Sequence, residues 1–135
     1  MTTATELVIS LPFPPNMANG RMHWRVKERH RAQYLVLCRG LWYAEIDGCS
    51  ARSSMHEFAR QHRTKSLLSF CLRLGGRMDD DNALARCKWP VDWLVSEGIL
   101  VDDSPKWCSM SIPEQVITRD KAQQRLEITI RYAEA

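Results

Sequence analysis

Hydrophobic and polar positions in the first half of the chain follow a strand pattern and then a helical one. Residues 5–13 (TELVISLPF) alternate apolar and polar side chains and end at Pro14-Pro15, which predicts a β-strand. From Val26 to about Ile46 apolar residues recur every three or four positions, which predicts a long amphipathic helix. Its first turns (RVKERHR) are basic, which opposes the helix dipole, so they indicate either phosphate binding or a solvated face.

The middle of the chain predicts a central strand followed by a helix with a break. Residues 66–74 (SLLSFCLRL) are apolar enough for the middle of a sheet, and two glycines end them. An apolar stripe over 82–97 predicts a helix that Gly98 ends and that Pro90 kinks or divides near Lys88 or Trp89. The polar stretch 47–66 reads as an irregular or mobile connection, with a short helix near Met55–Gln61 as an alternative.

Three later segments have strand patterns. Ile99–Val101 predicts a short strand, and the alternating stretches 106–119 and 125–133, separated by a polar DKAQQ, predict an antiparallel pair. The element order is strand, helix, strand, helix, then strands. The fold class that follows is α/β (α+β), a single compact domain over residues 1–135 with a mixed sheet packed by two main helices.

Charge is distributed unevenly around an overall balance of +3. Residues 1–78 carry 12 Lys and Arg against 5 Asp and Glu, whereas residues 79–135 carry 7 against 11. A basic region beside an acidic cluster suits an enzyme that holds a polyanion and brings a metal ion to it, and an unevenly charged solvated surface is the alternative.

Cysteine and histidine patterns predict no metal centre of their own. The five cysteines contain no C-x-x-C pair, which favours buried reduced thiols over disulfides or structural zinc. His56 and His62 lack an acidic or cysteine partner at ligand spacing and are expected to be surface histidines. The N-terminal residues do not resemble a signal peptide and no apolar run reaches membrane-spanning length, so we expect a cytoplasmic protein without a membrane partner.

An acidic triplet, Asp79-Asp80-Asp81, stands out in this basic protein. In an extended segment Asp79 and Asp81 would face one side and Asp80 the other, and a second acidic pair, Asp102-Asp103, follows the next predicted strand. One aspartate is explained as a helix cap, but three adjacent acids repel each other and call for a cation. Mg²⁺ needs only one or two carboxylates besides water and phosphate, whereas an EF-hand loop does not match the residues after Asp79.

Lys88 is the second chemical signal, because two helical turns bring it back toward the face of Asp81. Its ammonium group would hold a phosphate or stabilise a leaving oxygen, or it would form a salt bridge with Asp92 four residues on. Spacing alone does not separate these roles.

Four sequence blocks in order resemble the RusA-type endodeoxyribonucleases, the phage and prophage enzymes that resolve Holliday junctions. The blocks are LPFPPNMAN, DDDN, KWPVDWL and GILVDDSPKW, and they span residues 11 to 107. The resemblance implies a Mg²⁺-dependent nuclease, with Mn²⁺ as a substitute, that acts as a homodimer and makes paired symmetric nicks in four-way DNA junctions.

The resemblance also implies roles for individual residues. Asp79, Asp81 and Asp103 would bind Mg²⁺ with support from Asp102, Lys88 would take the place of the essential lysine, and Asn82 would orient a carboxylate or cap the helix. The basic candidates for DNA contact are Arg21, Arg25, Lys27, Arg60, Arg63 and Lys65.

Three departures from the family pattern bear on these roles, and one of them is that the polar stretch 47–66 matches no part of it. The middle residue of the acidic motif is Asp80, where the family usually has an apolar residue, and this acid would either recruit a second cation or face solvent. The spacing from Asn82 to Lys88 is three residues longer than in the shortest members, so the role of Lys88 rests on its distance in sequence from Asp103.

Two alternative functions stay open. One is a junction-binding protein with weak or lost cleavage. The other is a metal nuclease that acts on flaps, other branched DNA or single strands.

Overall fold

Strands and helices alternate along the chain and build one mixed sheet with helices against it. The computed structural model describes residues 6–14, 23–47 and 65–132. Their elements are β1 Glu6–Leu11, α1 Trp24–Asp47, β2 Ser66–Leu74, α2 Asp80–Arg86, α3 Lys88–Ser96, β3 Cys108–Met110, β4 Glu114–Ile117, a 3₁₀ turn Lys121–Gln123 and β5 Arg125–Tyr132. This confirms the predicted α+β class with its mixed sheet and two main helical regions, α1 and the α2–α3 pair.

The sheet is organised around β2 and β5, the two longest strands described. β5 lies between β1 and β2 and is antiparallel to both, while β2 pairs in parallel with β3 and β4 along its other edge. The register places Leu7, Ile130 and Leu68 in one row across the three strands, and all three are buried. Alternation along each strand therefore gives the sheet one buried face. β2 lies in the middle of the sheet, as the apolar pattern of residues 66–74 predicts.

The helices cover that buried face through aromatic side chains. Trp42 of α1 meets Trp93 of α3 edge to face with ring centroids 6.2 Å apart, and Tyr34 of α1 lies 6.3 Å from Trp89. All four rings belong to the core that includes the buried residues of the sheet. This apolar seam fixes α1 against α3, and it thereby fixes the position of the basic start of α1 relative to α3.

The predicted division of the second helical region is confirmed and falls at Cys87. The Cys87 N–H donates to the Leu84 carbonyl at 3.1 Å, three residues back, and a new helix starts at Lys88. Pro90 lies in the first turn of α3, where its missing N–H costs no intrahelical bond. The result is a bend that presents Arg86 and Lys88 on either side of Cys87.

The predicted strand at Ile99–Val101 is wrong. Gly98 has a φ of 79°, and the Gly98 and Ile99 N–H groups donate to Val95 and Leu94 carbonyls at 3.1 and 2.9 Å, which is a Schellman motif. The Leu100 N–H also donates to Leu94, so these amides serve the helix end and no sheet pairing forms there. Ile99 and Leu100 are apolar because they are buried under the helix, not because they form a strand.

The predicted antiparallel pair of 106–119 with 125–133 is also wrong. The first stretch is interrupted at Ser111–Pro113 into β3 and β4, which both run parallel to β2. β5 pairs instead with β1 and β2. Periodicity correctly predicts strands here, but it carries no information on which strand is the neighbour.

The second face of the sheet carries paired charges. Glu127 of β5 accepts from Arg73 at 2.9 Å and from Arg125 at 3.0 Å, and Glu6 of β1 accepts from Arg131 at 2.7 Å.

Within the described ranges, no helix has the length and apolar character that crossing a bilayer requires.

Candidate metal and nucleic-acid site

A cleft of about 410 Å³ opens where α2, α3, the loop after Val101 and β3 meet. Asp81 of α2, Lys88 of α3 and Asp103 of the loop line it together. They come from three segments of the chain, and Asp81 and Lys88, on either side of the break at Cys87, line the same cleft. Three of the four predicted catalytic residues therefore share one cleft.

The acidic triplet has a different backbone from the one expected. Asp79 is the extended N-cap of α2, with φ −61° and ψ 150°, whereas Asp80 and Asp81 are already helical. The expected extended alternation is therefore wrong for these two residues, because the helix starts two positions earlier than Asn82. Asp81 lines the cleft, while Asp79, Asp80 and the half-buried Asn82 are not among the lining residues.

The second acidic pair lies in an exposed turn that leads into β3. The Asp102 carboxylate accepts hydrogen bonds from the Asp103 backbone N–H and from the Ser104 hydroxyl. Both bonds lower the pKa of Asp102, and the bond from Asp103 has the larger effect. The Trp107 and Cys108 N–H groups both donate to the Ser104 carbonyl at 2.9 Å, which closes the turn. Asp102 thus holds the loop together, and Asp103 is the member of the pair that lines the cleft.

The carboxylates of the cleft suit Mg²⁺ but would provide only part of its coordination shell. Within the part of the chain that the structure describes, no three His, Cys, Asp or Glu side chains come close enough to hold a metal ion together. Asp81 and Asp103 do share the cleft, and two carboxylates with water and substrate phosphate are an ordinary shell for Mg²⁺. The geometry therefore suits an ion bound jointly by protein and substrate rather than by a closed protein cage.

Lys88 is not used in the salt bridge that its spacing to Asp92 allows. The Asp92 carboxylate accepts from Arg31 Nε of α1 at 3.1 Å. Over the described ranges Lys88 has no ion-pair partner, and its side chain is exposed at the rim of the cleft. Arg31, which sequence spacing does not single out, thus leaves the ammonium of Lys88 available.

Apolar side chains form the floor of the cleft. Leu84, Val91, Cys108 and Met110 line it together with the charged residues. Burial raises the pKa of the Cys108 thiol, the Asp103 charge raises it further and Lys65 opposes the shift, so the thiol stays protonated and is not a nucleophile. A weakly polar floor strengthens the electrostatic fields of the Asp81 and Asp103 carboxylates and of the Lys88 ammonium.

Half of the predicted DNA-contacting residues lie in described segments. Arg25, Lys27 and Lys65 are exposed, whereas Arg21, Arg60 and Arg63 lie outside the described residues. Lys65 directly precedes Ser66, which pairs with Cys108 of the cleft floor. Lys27 lies one helical turn before Arg31, the α1 residue that reaches the edge of the cleft through Asp92.

Tryptophan and arginine meet at the start of α1. Trp24 is 67% exposed, and the Arg25 guanidinium lies 5.3 Å from its ring centroid. The basic start of α1 therefore offers both charge and an aromatic face to a polyanion.

Histidine and cysteine predictions have mixed outcomes. His56, His62 and Cys49 lie outside the described residues. Cys38, Cys87 and Cys108 are buried free thiols as predicted, while Cys71 is only half-buried.

Comparison with protein-family models finds no match to this chain, and comparison with curated proteins finds none either.

Proposed function

We propose that the protein is a Mg²⁺-dependent, structure-specific endodeoxyribonuclease that resolves four-way DNA junctions. The observation that carries this proposal is the meeting of Asp81, Asp103 and Lys88 in one cleft that borders the basic start of α1. The ordered sequence blocks that resemble RusA-type nucleases support the same substrate. The activity then belongs to one domain formed by the whole chain.

Asp81 and Asp103 would hold the metal ion, with Mn²⁺ as a substitute for Mg²⁺, and Asp79 and Asp102 would support them from the flanking positions. When bound, the ion supplies polarisation of the phosphodiester and a more acidic water. Water then adds to phosphorus as the bond to the 3′ oxygen breaks. Lys88 stabilises the negative charge that develops in this step, because its ammonium faces the same cleft.

The remaining basic residues hold the DNA. Arg25, Lys27 and Lys65, with Arg21, Arg60 and Arg63, would contact backbone phosphates on the approach to the cleft. A four-way junction has two-fold symmetry, so paired nicks need two copies of the site, and we propose a homodimer. The setting that fits is the cytoplasm of a bacterial cell, with a phage or prophage origin.

A second candidate function is junction binding with weak or lost cleavage. It is favoured by one observation: no group of three ligating side chains converges within the described residues. Retention of Asp81, Asp103 and Lys88 in one cleft favours the nuclease.

The test is cleavage of an end-labelled, mobile four-way junction with Mg²⁺ or EDTA, beside flap and single-stranded substrates. We expect paired symmetric nicks that need Mg²⁺. Asp81→Asn should reduce the rate at least about a hundredfold, because it removes a charged ligand worth several kcal/mol in the transition state. Tight junction binding without nicks in Mg²⁺ or Mn²⁺ would favour the second candidate, and faster cleavage of flaps would move the substrate assignment.

Asp80→Asn is the matched control. It makes the same change one residue away, at an exposed position that does not line the cleft. Cleavage by this variant should stay within about threefold of the unmodified protein, since the Asp80 side chain does not line the cleft. Equal loss in both variants would mean that general charge near α2, not a ligand position, governs activity.

A further inference from the structure

Arg86 lies on the other side of the Cys87 bend from Lys88, in a second pocket of about 470 Å³. The pocket lies between α1 and the segment that follows β1, and Arg86 lines it with His30, Gln33, Tyr34 and Phe13. It shares no lining residue with the cleft of Asp81, Lys88 and Asp103. It is therefore a separate feature of the surface.

Among the described residues, the half-buried guanidinium of Arg86 has no counter-ion. Its one hydrogen bond among the described residues is a long one, from Nη2 to the Pro14 carbonyl at 3.4 Å, and its Nε is buried without a partner. No carboxylate within the described ranges lies at ion-pair distance. A guanidinium has five N–H donors, so most of its hydrogen-bonding capacity is unused.

The surroundings hold this cation in place rather than neutralise it. Its Cζ lies 4.8 Å from the Phe13 ring centroid, and the aliphatic stem is packed in the fold. Burial lowers the pKa of Arg86, and the only opposing contribution comes from Tyr34, whose hydroxyl already donates to the Pro12 carbonyl at 2.8 Å. Desolvating a cation without an anion costs free energy, so the site is incomplete without a negative ligand.

Neighbouring groups suit an oxyanion. His30 and Gln33 lie one turn apart on the α1 face that lines the pocket, and both side chains can donate N–H bonds. No acidic residue from the described parts of the chain lines the pocket. An arginine with further N–H donors in an open, acid-free pocket is the chemistry that binds phosphate in a bidentate manner.

We infer that Arg86, His30 and Gln33 form a second phosphate-binding pocket, and that its ligand is a backbone phosphate of the DNA strand that leads to the cleft. The choice of DNA rests on the proposed function, whereas phosphate binding itself does not. Arg86 and Lys88 are two residues apart and face separate pockets, so one short segment would hold two phosphates and set the position of the strand.

The first experiment tests the pocket without DNA. Inorganic phosphate is titrated into protein labelled with ¹⁵N in arginine, and the Nε–Hε signals are followed by NMR at constant ionic strength maintained with chloride. We expect a saturable shift of the signal that disappears in Arg86→Met. No saturable shift of that signal would overturn the pocket, whether or not the protein cleaves junctions.

The second experiment tests the source of the phosphate. Binding of a fluorescent four-way junction is measured by anisotropy in EDTA at several salt concentrations. Loss of one phosphate contact in Arg86→Met should lower the slope of log K against log salt by about 0.7–0.9 and weaken binding several-fold. A phosphate-dependent NMR shift with an unchanged slope would overturn DNA as the ligand and indicate a small phosphorylated molecule instead.

Arg39→Met is the matched control. Arg39 also lies over an aromatic ring, 5.5 Å from the Tyr43 centroid, but it has a carboxylate partner in Glu97 at 3.7 Å. Its loss should leave both the phosphate shift and the salt slope unchanged. Arg86→Lys keeps the charge and the packing stem, so it should retain most of the slope, and a thermal melt of each variant separates loss of binding from loss of folding.

Discussion

Charges on the open face of the sheet and charges around the cleft are arranged in opposite ways. On the sheet, Glu127 is held between Arg73 and Arg125, and Glu6 is held by Arg131. At the cleft, Asp81, Asp103 and Lys88 share a space of about 410 Å³, and over the described ranges none of them is in an ion pair. The named charges thus have a neutralised arrangement on the sheet and an open one at the cleft.

This difference separates charges that the fold explains from charges that it does not. Pairs across neighbouring strands add modest stability and help to fix register, so they are explained by the fold itself. Two carboxylates and an ammonium that line one cleft without ion-pair partners among the described residues are not explained in that way. Under the proposed function, Mg²⁺ and a substrate phosphate would balance these charges.

The largest effect that we expect from this comparison is at Lys88. Lys88→Met removes the ammonium from the cleft but keeps much of the side-chain length, and junction cleavage should fall about a hundredfold because charge stabilisation of the transition state is lost. Junction affinity in EDTA should change less than about threefold, since one of many phosphate contacts is removed. Single-turnover cleavage and anisotropy measure the two quantities separately.

Lys106→Met controls for the loss of a positive charge near the same loop. Lys106 is exposed, lies 5.2 Å from the ring centroid of Trp107 and does not line the cleft. It should retain nearly full cleavage. A Lys88→Met variant as active as Lys106→Met would show that Lys88 is only a surface residue and would remove it from the proposed mechanism.

The identities of the site residues could be predicted from the sequence, but the backbone features that bring them into one cleft could not. Asp81, Lys88 and Asp103 stand out by residue type and spacing, because three adjacent acids and a following lysine need an explanation. Their meeting depends on the break between α2 and α3 at Cys87 and on the path of the loop after the Schellman motif, which residue type and spacing do not reveal. The role of Arg31 was not predictable, since its partner Asp92 is 61 positions away.

The same distinction holds for the fold. β1, α1 and β2 were predictable to within a few residues because their periodicity is long and regular. Strand neighbours were not, because alternation looks the same in parallel and antiparallel pairing. Ile99–Leu100 was misassigned for a related reason: a short apolar run fits a buried turn as well as a strand.

A smaller effect is expected when Arg31 is replaced, because Arg31 forms an ion pair with Asp92 at the edge of the cleft. Its ion pair with Asp92 is partly buried, with side chains 31% and 19% exposed. Arg31→Met should lower the free energy of unfolding by about 1–2 kcal/mol, measured by urea denaturation, because it leaves Asp92 without its charged partner. Glu28→Gln removes the more exposed contact of Arg31 and should cost only a few tenths of a kcal/mol.

Cleavage by Arg31→Met connects this pair to the site. With Asp92 released, an i,i+4 contact with Lys88 becomes favourable by about 0.3–0.5 kcal/mol, which should lower the cleavage rate about twofold. The double variant Arg31→Met/Asp92→Asn should recover the rate while remaining destabilised. If the double variant stays as slow as Arg31→Met, the slower cleavage comes from movement of α1 rather than from capture of Lys88.

The smallest effect concerns the paired charges of the sheet and depends on pH. Hydrogen bonding from Arg73, together with Arg125, lowers the pKa of Glu127 despite partial burial. The ionised form is therefore favoured by folding: its contribution is present above the ordinary pKa of 4.5 and disappears as pH falls through the lowered folded value. Glu127→Gln should cost a few tenths of a kcal/mol up to about 1 kcal/mol at pH 7, and the difference in thermal stability from the unmodified protein should vanish in strong acid.

Glu114 is the control position. It lies opposite Cys71 on the neighbouring strand and has no ion pair within the described ranges, so Glu114→Gln should show no such pH-dependent difference. Equal pH profiles for the two variants would mean that the sheet charges act as a diffuse field and not as specific pairs, and the contrast with the cleft would then rest on position alone.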